Sequence, residues 1–117
     1  ALLGGNAPHK NSEELVKMAE EANNESTKFT YLKDWDSPNH AEYFYFRSDH
    51  LPYVKAGIPA VFFTSVLHHQ YHTPQDESEN INYKKLHKMT EWIYRTSWKV
   101  ANENHRPKVI PDYNLER

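Results

Sequence analysis

The chain has 117 residues, enough for one small domain. Its formal net charge is −2, from 14 basic and 16 acidic residues, so no basic excess indicates nucleic-acid binding. Cysteine is absent, which excludes disulfides and thiolate metal ligands, and no apolar run is long enough to span a membrane.

The first half of the chain predicts a helix between two strands. Residues 1–5 form an apolar run that ends in two glycines, as at the end of a buried strand. A helix is expected from Asn11, where Glu14 completes a capping-box pattern, up to Asn23 and Asn24. Residues 28–32 alternate and are rich in strand formers, so they predict a second strand. Residues 33–40 predict a loop, and the aromatic run 43–46 predicts a short strand or a packed loop.

The second half predicts a strand between two helices. Residues 49–55 form a short helix that ends before Gly57, and residues 58–64 form a buried strand. A polar, His-rich loop follows at 67–80. An amphipathic helix runs from Asn82 to about residue 104, and prolines then indicate a C-terminal tail over 105–117. The apolar face of the long helix carries Leu86, Met89, Ile93, Thr96 and Val100.

This order of elements is an α/β pattern. It predicts a small sheet of about three strands flanked by two or three helices. Parallel sheets normally have both faces covered, and so few helices can barely do this. We therefore expect residues 1–104 to be part of a domain whose sheet continues in further polypeptide. The exposed sheet edge could pair with a second copy and give a homo-oligomer.

The loop at 67–80 holds the densest group of candidate site residues: His68, His69, Tyr71, His72 and Asp76. Imidazole is the commonest metal ligand near neutral pH, and zinc binds nitrogen and oxygen ligands. Histidines also gather in ordinary polar loops, so composition leaves both interpretations open. No HExxH segment is present, which excludes that type of zinc-protease site.

A second candidate group precedes the short helix. Asp49 can cap that helix, or it can orient the imidazole of His50. Arg47 can bind a substrate carboxylate with two parallel hydrogen bonds, or it can lie solvated. The other histidines are expected on the surface: His9, His40, His87 and His105.

Three segments together resemble one family of zinc peptidases. They are RSDHLPY from residue 47, AGIPAVFF from residue 56 and YHTPQD from residue 71. The series is similar to the C-terminal region of the two-zinc aminopeptidase and glutamate carboxypeptidase-like family, of which glutaminyl cyclase is a divergent relative. The similarity covers about residues 1–104.

The resemblance implies a partial α/β/α sandwich around a mixed, mostly parallel sheet and, in the complete domain, two zinc ions with a general-base Glu. His72 matches the last His ligand of that site, and Tyr71 matches the residue that stabilises the oxyanion. Asp49 matches an acidic position near the metal site, and Arg47 lies where some relatives contact substrate. The other ligands and the general base have no counterpart here, so the isolated chain is expected to be inactive.

Three functional hypotheses follow from the resemblance. The first is the C-terminal segment of a zinc-dependent exopeptidase of the aminopeptidase type, which needs the remainder of its catalytic domain and acts on peptides. The second is a glutaminyl cyclase-like acyltransferase, although that branch typically has Trp at the position of Tyr71. The third is a non-catalytic interaction module with the peptidase fold. The resemblance suggests a secreted or periplasmic protein.

Overall fold

Two short strands, β1 (Leu2–Leu3) and β2 (Phe62–Phe63), form an antiparallel pair in the computed structural model, which describes residues 1–115. Leu2 lies opposite Phe63 in this pair. The chain turns directly after β1 at Gly4, which has a φ of 80°. A Cβ at this position would lie 3.3 Å from the ring of Tyr45, so the turn requires a glycine.

The predicted partial α/β/α sandwich with mostly parallel strands is wrong, because the described residues form mainly helices and one antiparallel strand pair. Residues 28–32 form no strand. There the side chain of Asn23 accepts a hydrogen bond from the Phe29 amide at 2.7 Å and donates one to the Phe29 carbonyl at 2.8 Å. A side-chain amide thus takes the bonds that a neighbouring strand would make.

The predicted strand at 58–64 is shortened to the two residues of β2 for a similar reason. The Asn11 side chain donates to the Ile58 carbonyl at 2.8 Å and accepts from the Ala60 amide at 3.2 Å. Pro59 lies between these groups and has no amide hydrogen to offer a strand. Asn11 therefore binds the start of this segment where a strand partner was expected.

The described residues form three α-helices: α1 (Glu13–Ala22), α2 (His50–Lys55) and α3 (Tyr83–Ala101). All three were predicted, with shifted ends. The N-cap of α1 is Ser12 and not Asn11, and its side chain accepts from the amide three residues on at 3.2 Å. Asn82, from which this helix was predicted to run, caps α3 in the same way at 3.0 Å. In the part of the chain that the structure describes, no helix is long and apolar enough to cross a membrane.

Helices α1 and α3 pack over one face of the strand pair. Trp92 of α3 is fully buried there beside Leu2, and its indole N–H donates to the Ala19 carbonyl at 2.7 Å. The buried side of α3 is therefore centred on Trp92. The predicted apolar face is only partly buried, since Leu86 and Ile93 are 51% and 41% exposed.

The other face of the strand pair packs against an aromatic loop. Leu3 is fully buried against Phe44 and Tyr45. The run at 43–46 contains a 3-10 turn (Phe44–Phe46), so the packed-loop alternative is confirmed and the strand is wrong. This layer covers the side of the sheet where the prediction placed further helices.

Residues 105–115 lie against α1 and the turn before it. Pro107 is buried, and the amide of Ile110 donates to the Asn11 carbonyl at 2.8 Å. The hydroxyl of Tyr113 donates to the His9 carbonyl at 3.1 Å. The division of the chain after residue 104 stays a prediction, although the segment beyond it makes these contacts.

Candidate functional site

Tyr71 and His72 lie side by side on an exposed loop between β2 and α3. Their rings stack with centroids 3.9 Å apart and planes 17° from parallel. His72 has a φ of 57°, in the left-handed region, which costs a residue with a side chain roughly 1–2 kcal/mol. Both side chains are exposed, Tyr71 by 37%, so a ligand can reach the phenol and the imidazole together.

A hydrogen bond links His68 to Asp76 across this loop. The Nε2 atom of His68 lies 2.9 Å from the Oδ1 atom of Asp76. Within the loop, the amide and the hydroxyl of Thr73 both donate to the Gln70 carbonyl, at 2.9 and 2.7 Å. These bonds close the segment that carries Tyr71 and His72 into a local turn.

Arg47 and Asp49 lie in the turn that leads into α2. The guanidinium of Arg47 binds Glu42 at 2.9 Å and lies 5.6 Å from the centroid of the Phe44 ring. Asp49 occupies the N-cap position of α2, but its side chain makes no capping hydrogen bond and is exposed. The capping role considered for the Asp49 side chain is therefore not observed.

The four candidate residues thus form two separate groups. Between residues 1 and 115, no hydrogen bond, ion pair or ring contact joins Arg47 or Asp49 to Tyr71 or His72. The assigned roles of all four, in metal binding, catalysis and substrate binding, stay predictions.

The residues present do not fit a complete zinc site. Catalytic zinc sites use about three protein ligands. Among the described residues, no group of three or more His, Cys, Asp or Glu side chains could hold a metal ion. On the same loop, His68 and Asp76 are hydrogen-bonded to each other at 2.9 Å.

A buried cluster of polar residues around Asp36 was not predicted from the sequence. Asp36 is 1% exposed, and it accepts hydrogen bonds from the amides of Gly4 at 2.9 Å and Asn6 at 2.8 Å. The expected surface position of His9 is wrong, because its ring is 1% exposed and stacks on Tyr45 at 4.2 Å. The only sequence signal for this group was the aromatic run at 43–46. That run indicates an apolar layer but does not show which residues the layer covers.

His50 is half-buried in the same layer. Its ring lies 4.7 Å from that of Tyr45 and 5.1 Å from that of Phe62. Neither ring nitrogen makes a well-formed hydrogen bond, so the Asp49–His50 pairing considered from sequence is not formed. Burial lowers the pKa of His50, while the Tyr45 carbonyl and the Asp36 carboxylate partly oppose this.

Comparison with known proteins identifies the family. The model of peptidase family M28 matches residues 5–97, which is more than half of the chain. The matched region contains all four candidate residues: Arg47, Asp49, Tyr71 and His72. Neither a curated protein nor a solved structure matches the chain. The match confirms the resemblance to a zinc peptidase family that the three motifs carry, and the chain belongs to peptidase family M28.

Proposed function

We propose that this chain is the C-terminal segment of the catalytic domain of a zinc-dependent exopeptidase of the aminopeptidase type. The observation that carries the proposal is the stacked Tyr71–His72 pair, exposed on one loop inside the region that matches peptidase family M28. The substrate would be a peptide with a free N-terminus.

Each member of the pair has a distinct role in this proposal. His72 contributes one imidazole ligand to the metal site of the complete domain. The Tyr71 hydroxyl donates a hydrogen bond to the oxyanion that forms when the peptide carbonyl is attacked. The stacking supports this division, because it places the phenol directly beside the imidazole.

Arg47 and Asp49 are assigned to substrate binding and to the surroundings of the metal site. The exposed carboxylate of Asp49 is free of capping bonds and is therefore available for such a contact. Arg47 would have to exchange its partner Glu42 for a substrate carboxylate. This exchange is feasible, because both side chains of that pair are 43% exposed and exposed ion pairs are worth only about 0–1 kcal/mol.

We further propose that the isolated chain does not hydrolyse peptides. The lack of a three-ligand group among residues 1–115 supports this, since water activation by zinc needs a bound metal. The remaining ligands, for two zinc ions in all, and the general base would come from other polypeptide. A secreted or periplasmic location, as the family resemblance suggests, fits this proposal.

Two other functions stay open at lower priority. A glutaminyl cyclase-like acyltransferase would convert N-terminal Gln to pyroglutamate, and a cyclisation assay on a glutaminyl peptide tests for it. A non-catalytic module would show neither activity in any longer protein that contains these residues. Tyr71, where the cyclase branch typically has Trp, favours the peptidase over the first of these.

Zinc titration of the chain by calorimetry tests the incomplete site. We expect no tight, stoichiometric binding, and no hydrolysis of leucine p-nitroanilide when zinc is added. Submicromolar binding that the His72→Ala variant abolishes would contradict the incomplete site. A polypeptide with the full ligand set tests the exopeptidase role: Tyr71→Phe should lower kcat by about 10²–10³ with little change in KM. Tyr53→Phe, at an exposed tyrosine of α2, is the matched control.

A further inference from the structure

Two large aromatic side chains lie exposed on the outer side of α3. Tyr94 and Trp98 are 63% and 60% exposed. At about 100° of rotation per helical residue, they point roughly 200° and 240° away from the buried Trp92. They therefore face away from the strand pair. A sheet that continues in its own plane into further polypeptide would leave this side of the helix layer open.

The two rings form one aromatic surface. Their centroids lie 6.3 Å apart and their planes are 29° from parallel, within the range of about 4.5–7 Å that is usual for aromatic pairs. Within residues 1–115, neither the Tyr94 hydroxyl nor the Trp98 indole N–H has a hydrogen-bond partner. Exposed rings whose polar groups are also free indicate a binding surface.

A pocket of about 340 Å³ opens beside these rings. Helix α3 forms one wall, and Glu25, in the π-helical turn (Asn23–Thr27) that follows α1, contributes to the other. The volume lies near the lower end of the range of about 300–1,000 Å³ that is typical of ligand sites. Because both walls belong to the described chain, the pocket does not need the remainder of the catalytic domain to be complete.

The charged groups of the pocket are paired with each other. The Glu91 carboxylate lies 2.9 Å from the Arg95 guanidinium, and the Lys99 ammonium lies 3.0 Å from the Glu25 carboxylate. An ionic ligand would therefore find no free counter-charge in the lining. A neutral ligand with many hydroxyls suits these groups, because a hydroxyl can donate to a carboxylate and accept from a guanidinium or an ammonium.

We propose that this pocket binds a neutral glycan of β-1,4-linked glucose-type pyranose rings. The hydroxyls of such a ring are equatorial, so its axial C–H bonds, which are partly positive, point out of the two ring faces. These C–H groups pack against the negative faces of Tyr94 and Trp98, and the hydroxyls bond to Glu91 and Arg95. This binding does not involve Tyr71 or His72 and is independent of the proposed exopeptidase function.

Other occupants fit this surface less well. Two aromatic side chains of at most about 250 Å² each provide less area than the roughly 800 Å² per partner of a stable protein interface, which disfavours a second copy. A membrane surface would meet the carboxylates of Glu25 and Glu91. Helices that lie on membranes carry mainly Lys and Arg on their polar face. The glycan is therefore the occupant that the area and the charges favour.

The test is an NMR titration of the ¹⁵N-labelled chain with cellohexaose. We expect saturable shifts of the Trp98 indole N–H and of the Arg95 amide. Trp98→Ala should weaken binding about tenfold, measured at the Arg95 amide, because one of the two stacking surfaces is lost. Tyr83→Ala is the matched control, since Tyr83 is an equally exposed tyrosine of α3 outside the pocket, and it should leave the affinity unchanged.

Sorbitol separates stacking from simple hydroxyl contact. This open-chain hexitol carries similar hydroxyls but has no ring face, so it should cause no saturable shift. Equal shifts with sorbitol, or no shift with millimolar cellohexaose, would overturn the proposal. So would binding to phosphatidylserine vesicles, or self-association in sedimentation, that Trp98→Ala abolishes, because a membrane or a second copy would then be the occupant.

Discussion

The Nδ1 atom of His9 lies 3.0 Å from the Oδ1 atom of Asp36, and both side chains are completely buried. A carboxylate in such a position is tolerated only when donors surround it. The amides of Gly4 and Asn6 complete the set, so Asp36 ties the turn after β1 to the 3-10 turn that carries it. The pair links segments 27 residues apart in sequence.

Replacing Asp36 with Asn should destabilise the protein by about 1.5–3 kcal/mol. The Asn side chain keeps one acceptor oxygen. Its NH₂ group, however, would face N–H donors that now bind the second oxygen of the Asp36 carboxylate. Urea unfolding followed by circular dichroism measures the change. Asp34→Asn, at an exposed Asp of the same turn, should alter stability by less than about 0.5 kcal/mol. If both variants change the free energy of unfolding equally, the Asp36 hydrogen bonds do not stabilise the fold.

The helices were predictable because their signals are local. The periodic residues that follow Asn82 lie within one segment, and α3 begins where they indicate. The side of α3 that is buried was less predictable. It depends on Trp92, whose partners Phe29, Tyr31 and Phe63 come from distant parts of the chain.

The sheet was not predictable because two asparagine side chains replace strand neighbours. Strand propensity at 28–32 and 58–64 reports a preference for extended backbone and does not identify the hydrogen-bond partner. Asn23 binds Phe29, six residues away, and Asn11 binds Ile58, 47 residues away. No periodic pattern in the sequence encodes the second of these contacts.

The Asn11 contact gives a second prediction. Asn11→Ala leaves the Ile58 carbonyl and the Ala60 amide without partners, and this should cost about 1–3 kcal/mol. Hydrogen exchange at the Ala60 amide should accelerate in parallel. Asn39→Ala, at an exposed loop position, is the control and should leave both measurements unchanged. If hydrogen exchange at the Ala60 amide is unaltered in the Asn11→Ala variant, the Asn11 side chain does not hold this segment.

The family was predictable from the motifs, but the arrangement of the candidate residues was not. The motif around His72 indicates the family, and the family match includes that residue. The sequence could not show that Tyr71 stacks on His72, because this depends on the left-handed backbone of His72. Nor could it show that His9 is buried, since the rings that cover it lie more than 30 residues away.

A third prediction concerns the pH dependence of stability. Burial lowers the pKa of His50 in the folded state below its unfolded value of about 6.5. Above pH 6.5 the ring is neutral in both states and contributes its full packing. As pH falls below 6.5, the unfolded state takes up the proton first, so the free energy of unfolding decreases down to the folded-state pKa.

Urea unfolding at pH 7.5 and 5.5 measures this decrease. His50→Phe should reduce the difference between the two pH values, since the substituted ring can still pack on Tyr45 and Phe62 but cannot titrate. His87→Phe changes an exposed ring of α3 and should retain the dependence of the native chain. If both variants lose the same fraction of the pH dependence, His50 is not its source.

A fourth prediction concerns the contact between α1 and residues 105–115. The Oε2 atom of Glu14 accepts hydrogen bonds from the Lys108 amide at 2.9 Å and from His105 at 3.2 Å, and the Lys108 bond is the main reason that the pKa of Glu14 is lowered. Glu14→Gln removes the charge and should accelerate hydrogen exchange at the Lys108 amide. Because protonation also removes the charge and weakens these bonds, acid should lower the protection of the Lys108 amide in the native chain, measured relative to its intrinsic exchange rate at each pH. Glu13→Gln, at the neighbouring exposed carboxylate, should leave the exchange rate unchanged, and equal rates in all three proteins would exclude Glu14 as the anchor.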